Sequence, residues 1–117
     1  MGKLSTHVLD TASGRPGVGI RLRLLKIIGS SFSLLKSAVT NTDGRVTGAL
    51  LEGTELTAGM YRLEFEIGPY FRSLGYKLPD PAFLETVHLD FGIANPEENY
   101  HVPLVTTPWS YSTYRGS

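Results

Sequence analysis

The chain has no cysteine among its 117 residues. No disulfide can hold it, no thiol can act as a nucleophile, and every cysteine-based zinc motif is excluded. It has no surplus charge either, since eleven Lys and Arg balance eleven Asp and Glu. A chain with no net charge has no electrostatic footprint for nucleic acid or for an anionic lipid surface. No apolar run is long enough to cross a bilayer. The N-terminus lacks a basic stretch followed by an apolar core, so no signal peptide is expected and the expected location is cytoplasmic. Met1-Gly2-Lys3-Leu4-Ser5-Thr6 fits the loose N-myristoylation pattern. Those residues are needed in a first strand, and no polybasic patch follows to make a single acyl chain hold. Phosphate loops, Gly-x-Ser-x-Gly elbows, His-Glu-x-x-His helices, internal repeats, low-complexity tracts and linkers are all missing.

What is present suits one turn-rich β domain spanning residues 1–117. Thirteen glycines and seven prolines accompany a charged fraction of 19%. A chain of this length can bury a core without staples. Ile20, Leu22 and Leu24 alternate with Arg21 and Arg23. Tyr61, Leu63, Phe65 and Ile67 alternate with Arg62, Glu64 and Glu66, and Val87, Leu89, Phe91 and Ile93 enclose His88 and Asp90. A period of two marks strands with one face in the core. A first strand over Lys3 to Asp10 ends at Ser13-Gly14-Arg15-Pro16-Gly17. A strand over Phe32 to Thr40 stops at Asn41-Thr42-Asp43-Gly44, where Asp-Gly favours a tight turn. Gly68-Pro69 breaks the pattern, and Pro69 to Gly75 reads as one short helix ending at the glycine. Two last strands are expected at Tyr100 to Thr106 and at about Trp109 to Arg115. Seven or eight short strands with regular turns imply an all-β sandwich.

Three histidines carry the candidate chemistry: His7, His88 and His101. His88 alternates with core residues and so belongs on an outer face. His7 lies in the first strand. His101 opens a strand in which Tyr100, Val102 and Leu104 share one face and His101, Pro103 and Val105 the other. Proline is rare inside a central strand, so Pro103 implies either an edge strand or an irregular environment. Arg45 follows the Asp43-Gly44 turn, and Arg115 sits in a tail crowded by Trp109, Tyr111 and Tyr114. An aromatic tail of that kind is expected to dock rather than fray. Taken one at a time, these residues read as solvated or structural.

Three blocks together resemble the transthyretin-like family, in its 5-hydroxyisourate hydrolase branch. The first is Leu4-Ser5-Thr6-His7-Val8-Leu9-Asp10-Thr11-Ala12 followed by Gly14-Arg15-Pro16. The second is Asn41-Thr42-Asp43-Gly44-Arg45. The third runs from Tyr100-His101-Val102-Pro103-Leu104 through Pro108 to Tyr111-Ser112-Thr113-Tyr114-Arg115-Gly116-Ser117. The order and spacing fit along essentially the whole chain. The terminal tetrapeptide and the histidines separate the hydrolase branch from the hormone-carrier branch. Gly17 stands where alanine is frequent, and Val105-Thr106-Thr107 is more polar than the usual leucine-rich run.

The resemblance implies a transthyretin-like two-sheet β-sandwich of about eight strands with one short helix. It also implies a homotetramer, a dimer of dimers, with active sites in a central channel where subunits meet. It implies hydrolysis of 5-hydroxyisourate to 2-oxo-4-hydroxy-4-carboxy-5-ureidoimidazoline in urate degradation, by histidine-assisted attack of water on the cyclic amide. Catalysis is expected from His7, Arg45 and His101, and substrate binding from His7, Arg45, Tyr114, Arg115 and Ser117. No cofactor or metal is implied, although symmetry-related histidines leave a zinc site conceivable. Which histidine acts as base stays open. The rival readings are a transthyretin-like small-molecule carrier without catalysis, and a structural β-sandwich module.

Overall fold

A computed structural model describes residues 1–116 of the chain. Nine strands form two sheets. The first sheet joins β1 (Lys3–Asp10), β2 (Arg15–Pro16), β5 (Leu51–Glu52), β8 (Tyr100–Thr106) and β9 (Tyr111–Thr113). Its order is β2-β1-β8-β9, with β5 also pairing β1. The second sheet joins β3 (Arg21–Ile28), β4 (Ser31–Val39), β6 (Gly59–Glu66) and β7 (Thr86–Ile93) in the order β4-β3-β6-β7. Two of the strands, β2 and β5, are only two residues long. The count of longer strands is therefore close to the seven or eight read from alternation.

Strands β1, β3, β6, β7 and β8 turn one face inward, whereas β4 buries none of its residues. In β1, Leu4, Thr6, Val8 and Asp10 are buried while Ser5, His7 and Leu9 are only half-buried. The core between the sheets includes Leu22, Leu24, Leu63, Phe65, Leu89 and Leu104. Burial of this apolar area is the main drive for folding, at about 25 cal/mol per Å². The two polar side chains that β1 buries are satisfied. The Thr6 hydroxyl donates to the Val102 carbonyl at 2.7 Å. Asp10 accepts the Ala12 and Ser13 N–H groups and, at 2.7 Å, the Tyr70 hydroxyl.

The one α-helix among the described residues, α1, spans Ile67–Ser73 and so starts two residues before Pro69. The reason is that the Ile67 and Gly68 N–H groups both donate to the Glu85 carbonyl, each at 2.9 Å. Pro69 then fills the first turn, where its missing N–H costs nothing. Gly75, at φ +91°, ends the helix as expected. Tyr70 and Phe71 are buried on its inner side.

One pairing matters most for function. Strands β1 and β8 run parallel, although the rest of both sheets is antiparallel. Their register sets Ser5 opposite His101, His7 opposite Pro103 and Leu9 opposite Val105. Among the described residues no helix is long and apolar enough to cross a membrane.

Candidate active site

Because side chains alternate along a strand, the parallel register brings Ser5, His7, His101 and Pro103 to one outward face. The His7 and His101 rings lie with centroids 6.4 Å apart and planes tilted by 36°. One small group between them can touch both at contact distances of about 3–3.5 Å.

Arg45 arrives through a built turn. The Asn41 side-chain oxygen accepts the Asp43 N–H at 2.9 Å and the Arg45 N–H at 3.1 Å, which is the local hydrogen bonding that makes Asn a turn former. The Gly44 N–H closes the turn on the Asn41 carbonyl at 2.9 Å. Gly44 is needed twice over. Its φ is +75°, and an added Cβ would sit 2.6 Å from the Val8 carbonyl oxygen. The turn docks on β1, where the Val8 N–H donates to the Gly44 carbonyl at 2.8 Å and Arg45 forms a β-bridge with His7. Arg45 is exposed, and among the described residues no carboxylate pairs with it.

The same turn fixes one histidine. His7 Nε2 lies 2.9 Å from the Asp43 carbonyl oxygen. A carbonyl can only accept, so His7 carries its hydrogen on Nε2 and leaves Nδ1 open. His101 is held from the other side, with Nδ1 2.8 Å from the Ser5 hydroxyl oxygen. Burial first, then the charges of Arg45 and His7, hold the His101 pKa below its ordinary value. The ring is therefore poised to be neutral near neutral pH.

The aromatic tail pairs with β8 in two steps. Strand β9 covers Leu104 to Thr106 and stops at Thr113, short of the expected Arg115. The pairing resumes at Gly116, whose N–H donates to the His101 carbonyl at 2.7 Å. Pro103 explains the interruption. β8 is an interior strand, so the edge-strand reading of Pro103 does not hold. The carbonyls of His101 and Pro103 both face the tail, the second accepting the Thr113 hydroxyl at 2.6 Å. The Pro103 nitrogen, without a hydrogen, faces the same side at the gap in the ladder.

Within one chain the structure thus brings His7, Arg45 and His101 together. Tyr114 is exposed. Arg115 turns elsewhere, donating to Glu98 Oε1 at 2.9 Å and to the Asn99 carbonyl at 3.0 Å, with its guanidinium 4.0 Å over the Tyr100 ring. Tyr100 faces the core, away from the imidazoles. Ser117 lies outside the described residues. His88 is on the other sheet, 3.6 Å from a Glu64 carboxylate oxygen. No group of three or more metal-binding side chains occurs among the described residues.

Two contributors escaped the sequence reading: Ser5 and the Asp43 carbonyl. Ser5 was accessible in principle, since it stands two residues before His7 on the same strand face. Beside His101 an open cleft of about 410 Å³ is lined by Ser5, His101, Lys3, Glu52 and Asn99 among others. A larger concavity of about 600 Å³ covers the outer face of the second sheet. Its Arg23 and Glu64 neutralise each other, and His101 lines the smaller cleft rather than this one, so the smaller cleft is the better candidate.

The HIUase/Transthyretin family model matches residues 4–116. A 5-hydroxyisourate hydrolase of Ralstonia nicotianae is 54% identical over 117 residues, covering 100% of both chains. Among solved structures, an (S)-allantoin synthase superposes with a TM-score of 0.93 at 45% identity, covering 99% of this chain and 44% of that one. The 5-hydroxyisourate hydrolase of Klebsiella pneumoniae gives 0.81 at 33% identity, with complete coverage of both. Sea bream transthyretin in complex with thyroxine gives 0.86 at 23% identity over 97% and 94% of the two chains, a likeness of fold alone.

Proposed function

We infer that this chain, which belongs to the HIUase/Transthyretin family, is a 5-hydroxyisourate hydrolase of urate degradation. The observation that carries the reading is the facing pair His7 and His101 with an unpaired arginine beside them. A carrier needs no such base.

The reaction opens a six-membered ring at a cyclic amide. Water is a poor nucleophile, and a neutral imidazole takes its proton as the oxygen attacks the carbonyl carbon. The resulting tetrahedral centre bears an oxyanion, which a fixed cation stabilises. Its collapse breaks the carbon–nitrogen bond. The nitrogen leaves with a proton returned from the imidazolium, and a carboxylate remains. The product is 2-oxo-4-hydroxy-4-carboxy-5-ureidoimidazoline.

His7, Arg45 and His101 are the proposed catalytic residues. Arg45 binds the planar substrate through its fork of donors and offsets the developing charge. Its charge also favours the neutral imidazole that the base step needs. Tyr114, Arg115 and Ser117 are proposed to close the pocket. For Arg115, its hold on Glu98 and Asn99 supports a role in fixing the tail.

A homotetramer, as a dimer of dimers, is part of the same proposal. Its support is the set of exposed aromatics Phe83, Trp109, Tyr111 and Tyr114, the first two stacked on each other, a costly surface for a lone subunit. Size-exclusion chromatography with light scattering tests it. A cytoplasmic location also belongs to this reading, and cell fractionation tests that. For the activity, purified protein is added to uric acid and urate oxidase, and ultraviolet absorbance follows the transient 5-hydroxyisourate. Faster decay is expected. An unchanged decay would return the chain to the carrier reading.

A further inference from the structure

The hydrogen bond between Ser5 and His101 plays no part in the reaction as written above. We infer that Ser5 is a positioning residue of that site, holding the His101 imidazole by Nδ1 while Gly116 backs the opposite ring edge, so that Nε2 alone is presented to the reacting water. The inference rests on the hydrolase reading of the same site.

The geometry comes from the strand order. β8 lies between β1 and the tail, so the His101 ring has a neighbour on each side. From β1, the Ser5 hydroxyl meets Nδ1 at 2.8 Å. From the tail, Gly116 presses on the other edge. A Cβ added there would lie 2.7 Å from His101 Cδ2, 3.1 Å from its Cβ and 3.2 Å from Cγ. With both edges occupied, Cε1 and Nε2 are the ring atoms left facing away from the sheet.

An unassisted imidazole has two nearly equivalent settings, because rotation about its second side-chain torsion is broad and roughly two-fold. Flipping the ring exchanges Nδ1 with Cδ2 and Nε2 with Cε1. The reactive nitrogen then moves by a ring width, and carbon faces Ser5. A hydroxyl at Ser5 favours the setting with nitrogen beside it. Gly116 leaves room for the ring, where a Cβ would crowd it.

The hydrogen bond also selects the tautomer. A serine hydroxyl can donate or accept. Arg45 brings positive charge to the outward side of the pair. A lone pair on His101 Nε2 suits those surroundings better than an N–H. Ser5 therefore accepts from Nδ1–H, and Nε2 keeps the lone pair that removes a proton from water. His7 shows the same arrangement with different parts, its Nε2–H anchored on a backbone carbonyl and its Nδ1 open. Orienting one imidazole nitrogen through a bond to the other is the general way proteins aim a histidine.

The test uses the full-length protein and the variants Ser5→Ala, Ser5→Thr and Gly116→Ala. Steady-state kinetics separate kcat from KM. Nitrogen–proton spectra of protein labelled in its histidine rings report which ring nitrogen of His101 carries hydrogen. Ser5→Ala should lower kcat about tenfold to a hundredfold, the scale of a misplaced reacting group, with KM nearly unchanged. Ser5→Thr, which restores a hydroxyl, should recover most of the rate. Gly116→Ala should lower kcat and shift the His101 signals. The wild-type spectrum should show hydrogen on Nδ1, and Ser5→Ala should show both tautomers. Wild-type kcat in Ser5→Ala, no recovery in Ser5→Thr, or a wild-type proton on Nε2 would each overturn the inference. If wild-type protein fails to hasten 5-hydroxyisourate decay, the hydrolase reading falls, while the ring spectra still decide what Ser5 does.

Discussion

Replacing Gly44 by alanine should damage activity more than its position in a surface turn suggests. The residue has φ +75°, a left-handed conformation that costs an L side chain about 1–2 kcal/mol. The new Cβ would also lie 2.6 Å from the Val8 carbonyl oxygen and 3.1 Å from the Gly17 nitrogen. Both are backbone atoms and cannot swing aside, so the turn must lift from β1. Lifting it stretches the Val8 to Gly44 bond of 2.8 Å and the His7 to Asp43 bond of 2.9 Å. At about 1 kcal/mol for each weakened bond, the sum with the backbone term is about 3 kcal/mol. For a domain of this size that lowers the melting temperature by about 10 °C. The larger effect is chemical. The same movement displaces Arg45 and frees the His7 ring from its anchor, and a misplacement near 1 Å can cost about a hundredfold in rate. Differential scanning calorimetry and the coupled urate oxidase assay, run well below the melting transition, separate the two. A variant that melts early yet turns over at the wild-type rate would refute the claim that this turn aims the site.

Three further outcomes are expected. Arg45→Lys keeps the charge and loses the planar fork, so kcat/KM should fall about tenfold or more, the scale of a poorly placed charge; a lysine variant at wild-type efficiency would remove the fork from the argument. For His101, the unfolded chain binds a proton below about 6.5 while the folded chain resists it. Stability should then rise with pH between the depressed folded value and about 6.5 and level off above, and His101→Asn should flatten that slope in pH-dependent melting curves. The acid limb of kcat/KM should also fall below the pH of a free imidazole. Removing residues 114–117 deletes the exposed Arg115–Glu98 pair, worth about 0–1 kcal/mol, and the Gly116 bond to His101. Melting should change little while turnover collapses; equal losses would make the tail structural only.

The periodic parts of the chain were readable because alternation is local. Lys3 to Asp10 and Tyr100 to Thr106 come out as strands with the expected limits. The helix start was not readable, because Ile67 and Gly68 are bound by a carbonyl at Glu85, far along the chain. The last strand was drawn too long because the missing donor at Pro103 interrupts pairing with a segment that itself alternates well. The site divides in the same way. His7, Arg45 and His101 stand in blocks whose residues mark a family. Ser5 and Gly116 gain meaning only from the registers that set each beside His101, and no local pattern states the register that joins Ser5 to His101 across 96 positions.

The parallel pairing of β1 with β8 also has a consequence for synthesis. The ribosome delivers His101 long after His7, and pairing across so long a loop is slow to form. Until β8 emerges, β1 exposes its long free side, the template for stray strand addition. Catalytic competence therefore arrives as one late event rather than accumulating with chain growth. A nascent chain halted before Tyr100 would be inert and prone to aggregate.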